Sequence, residues 1–148
     1  MTGWRVGFGI FPDFLVEPVT RLVTNSVSCT AAFSQIASVS AIESSQQSVR
    51  QMVAEFKERR DLLVEGLNSI TGITCPMPKG AFYAFPNITG TGYTSEEFER
   101  NILTETGISL LSGTSFGEYG EGYVRISFAN SQEKIREALK RLKEFLVN

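Results

Sequence analysis

The feature that most constrains the fold is a run of apolar residues at helical spacing in the middle of the chain. The run consists of Val49, Met52, Val53, Phe56, Leu63, Leu67 and Ile70. The charged segment 57–60 interrupts it on the opposite side. This spacing predicts a long amphipathic helix that ends between Asn68 and Gly72. Because the helix must bury its apolar side, we expect the chain around it to fold into a core.

The sequence after this helix alternates short strands with two further helices. A capping box of Thr94 and Glu97 begins the first of them and Gly107 ends it, while Asn130 or Ser131 caps the last. Strands are predicted over 73–75, 81–85, 108–111 and 123–128, with a glycine-rich loop over 113–122. From about residue 48 onward, the sequence therefore predicts a compact α+β unit in which a small mixed sheet packs against helices.

The N-terminal part of the chain differs from this unit. We expect a strand over residues 3–10 and then a helix from about Phe14 to Val23. Since Pro18 is tolerated only in the first helical turn, that helix could start nearer Val16. The Ala- and Ser-rich segment 31–44 predicts a second helix. The predicted organisation is a remnant of another domain over 1–30, a linker helix over 31–47 and a small domain over 48–148.

Arg5 is a candidate binding residue in the predicted N-terminal strand. Side chains alternate along a strand, so Arg5 shares its face with Gly7 and Gly9. Glycine in a strand often marks the close approach of a ligand, and a guanidinium suits a phosphate or a carboxylate. The alternative is an edge strand with a solvated arginine, and the residues alone favour that alternative.

Arg125 is the second candidate. In the predicted strand over 123–128, Val124, Ile126 and Phe128 form an apolar face, which leaves Arg125 on the other face. A guanidinium in this position can hold a carboxylate in a bidentate pair and fix its orientation. The alternative is the ordinary polar face of a half-exposed strand.

The composition excludes several classes of function. The chain of 148 residues has no histidine, a net charge of −2 and two cysteines. The lack of histidine excludes Ser-His and Cys-His nucleophile pairs and most zinc and iron sites, so no metal site is expected. The balanced charge gives no footprint for nucleic acid. Neither a membrane span nor a signal peptide is predicted, and a cytoplasmic protein with reduced cysteines is expected.

Four segments, taken in order, resemble a known family. They are TGWR at 2–5, KGAFYAFPN at 79–87, GTSFGEYGEG at 113–122 and YVRISFA at 123–129. Together they are similar to the fold-type I, pyridoxal-phosphate-dependent aminotransferases of the aspartate aminotransferase class. The resemblance covers nearly the whole chain.

The resemblance implies roles for individual residues. Arg5 would contact the cofactor phosphate, Arg125 would bind the substrate α-carboxylate, and Phe116 would face the substrate. The alternative for Phe116 is a hydrophobic anchor for the glycine-rich loop. The Schiff-base lysine of the family would lie about four residues upstream of Met1. The resemblance thus implies the C-terminal portion of such an enzyme without a catalytic residue of its own. Pyridoxal phosphate would belong to the parent enzyme and would not be bound by this chain alone.

The expected parent activity is transfer of an amino group from an amino acid to a 2-oxo acid, with the isolated chain inactive. Exposed apolar residues at 3–10 predict self-association, and a homo-oligomer is expected. Two alternatives stay open. One is a stand-alone, non-catalytic module for dimerisation or binding. The other is a fragment of a lyase, decarboxylase or synthase on the same scaffold.

Overall fold

The computed structural model describes residues 1–147, without the side chain of Thr2. The backbone divides into two compact units, residues 1–48 and residues from 49 onward. The helices are α1 (Asp13–Ser26), α2 (Ala32–Glu43), α3 (Gln47–Asn68), α4 (Ser95–Thr106) and α5 (Gln132–Val147). The strands are β1 (Tyr83–Ala84), β2 (Leu111–Ser112) and β3 (Val124–Ser127).

The first unit has helices but lacks the predicted N-terminal strand. Thr2–Trp4 form a short 3₁₀ helix that ends at Arg5, whose backbone is left-handed with φ 49° and ψ 50°. Residues 5–12 have no regular secondary structure. The prediction of a strand over 3–10 is therefore wrong for this chain. A strand needs a neighbour to pair its backbone groups, and no strand among residues 1–147 pairs with this segment.

Helix α1 also begins earlier than predicted. It starts at Asp13, so Pro18 lies in its second turn rather than its first. The ring of a proline there displaces only one backbone hydrogen bond, and the side chains of α1 lie mostly at the surface. Helix α2 confirms the predicted Ala- and Ser-rich helix within two residues at each end.

The second unit contains the main hydrophobic core. Leu63, Val64 and Leu67 of α3 are buried in it. Of the predicted apolar run, the C-terminal part is therefore buried, whereas its first members, Val49, Met52 and Val53, are exposed. The other core residues include Ile88, Phe98, Ile102, Val124, Phe128, Ile135 and Leu142. These side chains come from α3, α4, α5, β3 and the residues that follow β1 and β3, so the core holds together the elements that carry the candidate residues of this unit.

The sheet is antiparallel, which corrects the predicted mixed sheet. Its strand order is β1-β3-β2, and β3 runs antiparallel to both neighbours. Strands β1 and β2 are connected through α4. They run in the same direction but lie on opposite sides of β3. The predicted strand over 73–75 is reduced to one bridge between Thr74 and Asn87. Residues 108–110 lie outside any strand.

The predicted caps of α4 and α5 are confirmed. The Thr94 hydroxyl accepts from the Glu97 N–H, the Glu97 carboxylate accepts from the Thr94 N–H, and Gly107 closes α4 with φ 70°. Ser131 is the residue that caps α5, because its Oγ accepts from the Lys134 N–H at 3.4 Å. Over residues 1–147, no helix has the length and apolar character needed to cross a membrane.

Candidate functional site

Arg125 lies at the centre of the sheet on its exposed face. Its neighbours in β3 point the other way, and Val124 is fully buried. The Arg125 side chain is half-buried. Across the sheet, Arg125 is paired with Leu111 of β2, and Ser127 is paired with Tyr83 of β1. The predicted division of β3 into an apolar and a polar face is therefore correct.

Two aromatic rings contact the Arg125 guanidinium. Its Cζ lies 4.3 Å from the centroid of the Tyr83 ring and 4.5 Å from that of Phe116. Both distances fall within the range of a cation–π interaction. The structure thus brings together two predicted site residues, Arg125 and Phe116, and adds Tyr83.

Further aromatic residues extend this surface. The ring of Phe85 stacks on Tyr123 with centroids 5.4 Å apart and planes 9° apart. Phe85 also meets Phe116 edge-on at 6.3 Å. The apolar neighbours partly exclude water from the guanidinium, which strengthens its electrostatic interactions.

The donors of Arg125 have no protein partner in the described part of the chain. No hydrogen bond or ion pair there involves its guanidinium, although other arginines such as Arg60 and Arg141 make both. The Arg125 donors are unpaired but not sealed from solvent, so they are accessible to an incoming anion. The arrangement can therefore bind a small carboxylate or phosphate.

The loop that carries Phe116 is fixed by hydrogen bonds to α4. The Glu99 carboxylate accepts from the Ser112 N–H at 2.7 Å, just before the loop. The Glu121 carboxylate accepts from the Ser95 N–H at 3.1 Å, near its end. Phe116 itself ends the 3₁₀ helix Gly113–Phe116 and is 52% exposed. The ends of the loop are thus held while its aromatic side chain stays accessible.

Arg5 lies in the first unit and has a different environment. Its side chain is exposed, and the described residues supply it with no hydrogen bond or ion pair. Because the predicted strand is absent, Arg5 does not share a strand face with Gly7 and Gly9. Residues 1–48 contain no lysine, and their other arginine, Arg21, is paired with Glu17. The residues present therefore do not form a site for pyridoxal phosphate by themselves.

No metal site is found among the described residues, where no three acidic, cysteine or histidine side chains cluster. The two cysteines are free, with Cys29 exposed and Cys75 buried. Burial raises the pKa of the Cys75 thiol, and a hydrogen bond from the Phe85 backbone opposes this rise.

Tyr83 is the site residue that the sequence reasoning missed. An aromatic residue in a short strand is typical of a packed surface, so nothing local in the sequence distinguishes Tyr83 from a residue of the fold. The signal that could have identified Tyr83 is its register with β3, which places it on the face of Arg125.

Comparison with known proteins identifies the family. The model of the family "Aminotransferase class I and II" matches residues 1–142. Aspartate aminotransferase of Pyrococcus horikoshii is 44% identical over 148 residues, which cover 99% of this chain and 38% of the relative. Aromatic-amino-acid aminotransferase 2 of Thermococcus litoralis is 41% identical, with the same coverage of both chains.

Solved structures agree with these relatives. The crystal structure of an aromatic aminotransferase from Pyrococcus horikoshii superposes with a TM-score of 0.92 at 38% identity, over 99% of this chain and 40% of that one. The aspartate aminotransferase of Rhizobium meliloti gives 0.89 at 32% identity, over 99% and 39%. The chain spans about 38% of the length of the curated relatives that it matches. With a family match over nearly its whole length, this chain belongs to the class I and II aminotransferases.

Proposed function

We propose that this chain is the C-terminal part of an aminotransferase that moves an amino group from an amino acid to a 2-oxo acid. One observation carries the proposal. Arg125 presents unpaired N–H donors on a half-buried aromatic surface, which is what a site for a substrate carboxylate requires. The family match supports the reaction class.

Arg125 would bind the α-carboxylate through two parallel N–H···O bonds. Such a pair fixes the orientation of the substrate as well as its position. The Phe116 ring, next to Arg125 and half-exposed, would contact the bound substrate and exclude water from the ion pair. In the parent enzyme, pyridoxal phosphate would withdraw electrons from the substrate α-carbon. This chain binds and orients the substrate.

The other assignments follow from the same proposal. Arg5 would donate to the phosphate of the cofactor, and its unpaired, exposed guanidinium supports this role. Residues 1–30 would belong to the large domain, 31–47 to a linker helix and 48–148 to the small domain. The parent would be a cytoplasmic homo-oligomer. The isolated chain would have no transaminase activity, because the residues present do not form a cofactor site.

A chimera tests this proposal. The matching 38% of the Pyrococcus horikoshii aspartate aminotransferase is replaced with this chain, which is 44% identical to it over 148 residues. We expect the chimera to transaminate. Arg125→Lys should raise the KM for the amino acid by at least about tenfold, since one bidentate charged pair is lost. Arg136→Lys, on the exposed side of α5, is the matched control and should leave KM unchanged.

Two kinetic results would count against the proposal. One is a folded chimera in which Arg125→Lys and Arg136→Lys give the same KM. The other is turnover by the isolated chain that Arg125→Ala abolishes, because this would show a complete active site within 148 residues. If the chimera does not fold, the acetate titration of the isolated chain described below replaces it as the test of carboxylate binding.

A stand-alone binding module is the second candidate. The unit from residue 49 onward has its own hydrophobic core, as an independent module requires. The activity of the chimera distinguishes the two candidate functions. A module that has lost the substrate site would give a folded but inactive chimera, whereas an aminotransferase part restores activity.

A further inference from the structure

We propose that Tyr83 is a positioning residue for Arg125, holding the guanidinium in the plane in which it can receive a carboxylate. This inference rests on the proposed function in one respect, namely that the ligand of Arg125 is a carboxylate. The role of Tyr83 in orienting Arg125 follows from the geometry of the sheet alone.

The register of the sheet brings the two side chains together. Tyr83 is paired with Ser127, and Arg125 lies two residues before Ser127 on the same face of β3. Diagonal neighbours of this kind are about 7–8 Å apart at the backbone, within reach of an aromatic and a long side chain. The observed distance from the Arg125 Cζ to the Tyr83 ring centroid is 4.3 Å. The contact is therefore built into the strand pairing.

The Tyr83 ring is itself held in place. The next residue, Ala84, is fully buried and anchors β1 in the core. The Phe82 ring packs on Tyr83 with centroids 4.3 Å apart and planes 40° apart. Phe116, the second ring on Arg125, lies instead on a loop and is 52% exposed. Tyr83 lies in a paired strand, whereas Phe116 lies on a loop that is held at its ends, so Tyr83 sets the orientation of the guanidinium.

The consequence for binding is geometric. A guanidinium is planar, and its N–H donors lie in that plane at its edge. An aromatic ring against the guanidinium carbon interacts with the charge through its face and takes no donor. The donors stay available for a carboxylate, while the side chain loses part of its rotamer freedom before the ligand arrives. The Tyr83 hydroxyl is not needed for this, so phenylalanine should replace tyrosine.

Nuclear magnetic resonance of the full 148-residue chain tests the inference. The Nε–Hε signal of Arg125, assigned by its loss in Arg125→Lys, reports the nearby ring through its upfield shift. Acetate is then titrated as the carboxylate probe. The variants are Tyr83→Leu and Tyr83→Phe. The control is Tyr119→Leu, because Tyr119 is 91% exposed on the loop that carries Phe116.

We expect Tyr83→Leu to move the Hε signal downfield and to weaken acetate binding about fivefold, because the Arg125 side chain must then be ordered when the ligand binds. Tyr83→Phe should keep the Hε signal and the acetate affinity of the unmodified chain, and Tyr119→Leu should change neither. Well-dispersed amide signals show in each case that the variant is folded.

The two proposals fail in distinguishable ways. An unchanged Hε signal in folded Tyr83→Leu overturns the positioning role, whatever acetate does. Failure of Tyr83→Phe to restore the signal also overturns it, since the hydroxyl would then be the active group. If acetate does not move the Arg125 signal of the unmodified chain, the carboxylate site is contradicted, and the Hε shifts alone decide the role of Tyr83. If Tyr83→Leu does not fold, Tyr83→Val is compared with Tyr83→Phe instead, and the Arg125 Hε shift decides in the same way.

Discussion

The hydroxyl of Ser95 accepts a hydrogen bond of 2.8 Å from the backbone N–H of Gly122, 27 residues later in the chain, and both groups are buried. The same oxygen lies 3.2 Å from the Tyr123 nitrogen and 3.4 Å from the Gly120 carbonyl oxygen. Ser95 is the first residue of α4, and these partners lie where the loop enters β3. One small side chain thus joins the helix to the strand that carries Arg125.

Ser95→Ala should destabilise the second unit by about 1–3 kcal/mol, because it leaves buried backbone groups without a partner. Urea unfolding followed by circular dichroism measures the change. Ser109→Ala is the matched control, since Ser109 is exposed, and it should change the free energy of unfolding by less than about 0.5 kcal/mol. Equal effects of the two substitutions would contradict the role given to Ser95.

Glu97 should make the stability of the chain depend on pH. Hydrogen bonds from the backbone N–H and hydroxyl of Thr94 hold the pKa of Glu97 below its ordinary value. A lowered pKa in the folded state stabilises it above the unfolded pKa of about 4.3, and this stabilisation is lost as the pH falls through the folded pKa. The unmodified chain should therefore be more stable than Glu97→Gln at pH 6–7, and the difference should decrease as the pH falls below about 4.

Glu96→Gln is the control for this experiment. Glu96 lies in the same first turn of α4, but no hydrogen bond in the described part of the chain joins it to Thr94. Glu96→Gln should therefore change the free energy of unfolding at pH 6–7 less than Glu97→Gln does. A stability difference for Glu97→Gln that grows on acidification would contradict the assigned direction of the pKa shift.

The local features of the fold could be predicted from the sequence. The capping box of Thr94 and Glu97 depends on residues three apart, and Gly107 adopts a left-handed conformation that favours glycine. The two faces of β3 follow from alternation alone. Such features need no knowledge of the rest of the chain, which is why they agree with the structure.

The features that depend on distant partners could not be predicted in the same way. The strand expected at Arg5 requires a neighbouring strand, and alternation does not supply one. The antiparallel sheet depends on β3 inserting between β1 and β2, which no local pattern encodes. Tyr83 joins the site for the same reason, since its role depends on the register with Ser127.

The two cysteines should differ strongly in reactivity. Cys29 is exposed, whereas Cys75 is buried, with its pKa raised by burial. The Cys75 backbone is also held by the Asn68 amide group, through bonds of 2.7 and 2.9 Å. Since the thiolate is the reactive form, a disulfide reagent should modify one thiol per native chain within minutes and the second only in denaturant. Rapid modification of Cys29→Ser under native conditions would contradict this.

The loop that carries Phe116 depends on close backbone contact at Gly113. Its N–H donates to the Tyr123 carbonyl at 2.8 Å, and a Cβ at this position would lie 2.7 Å from that carbonyl oxygen and closer still to that of Gly120. Real Cβ atoms essentially never approach so closely, so Gly113→Ala must move the loop. We expect a loss of about 1–3 kcal/mol in the free energy of unfolding, as for other overpacked sites.

Gly80→Ala is the control for Gly113→Ala, because a Cβ at Gly80 would meet no atom within 4 Å. It should be neutral, or stabilise the chain by up to about 1 kcal/mol through the unfolded state. Gly113→Ala should also shift the Arg125 Hε signal, since Phe116 moves with the loop, while Gly80→Ala should not. If Gly113→Ala lowers stability but leaves the Arg125 signal unchanged, the loop does not position Phe116 against the guanidinium, and Tyr83 alone determines the environment of that group.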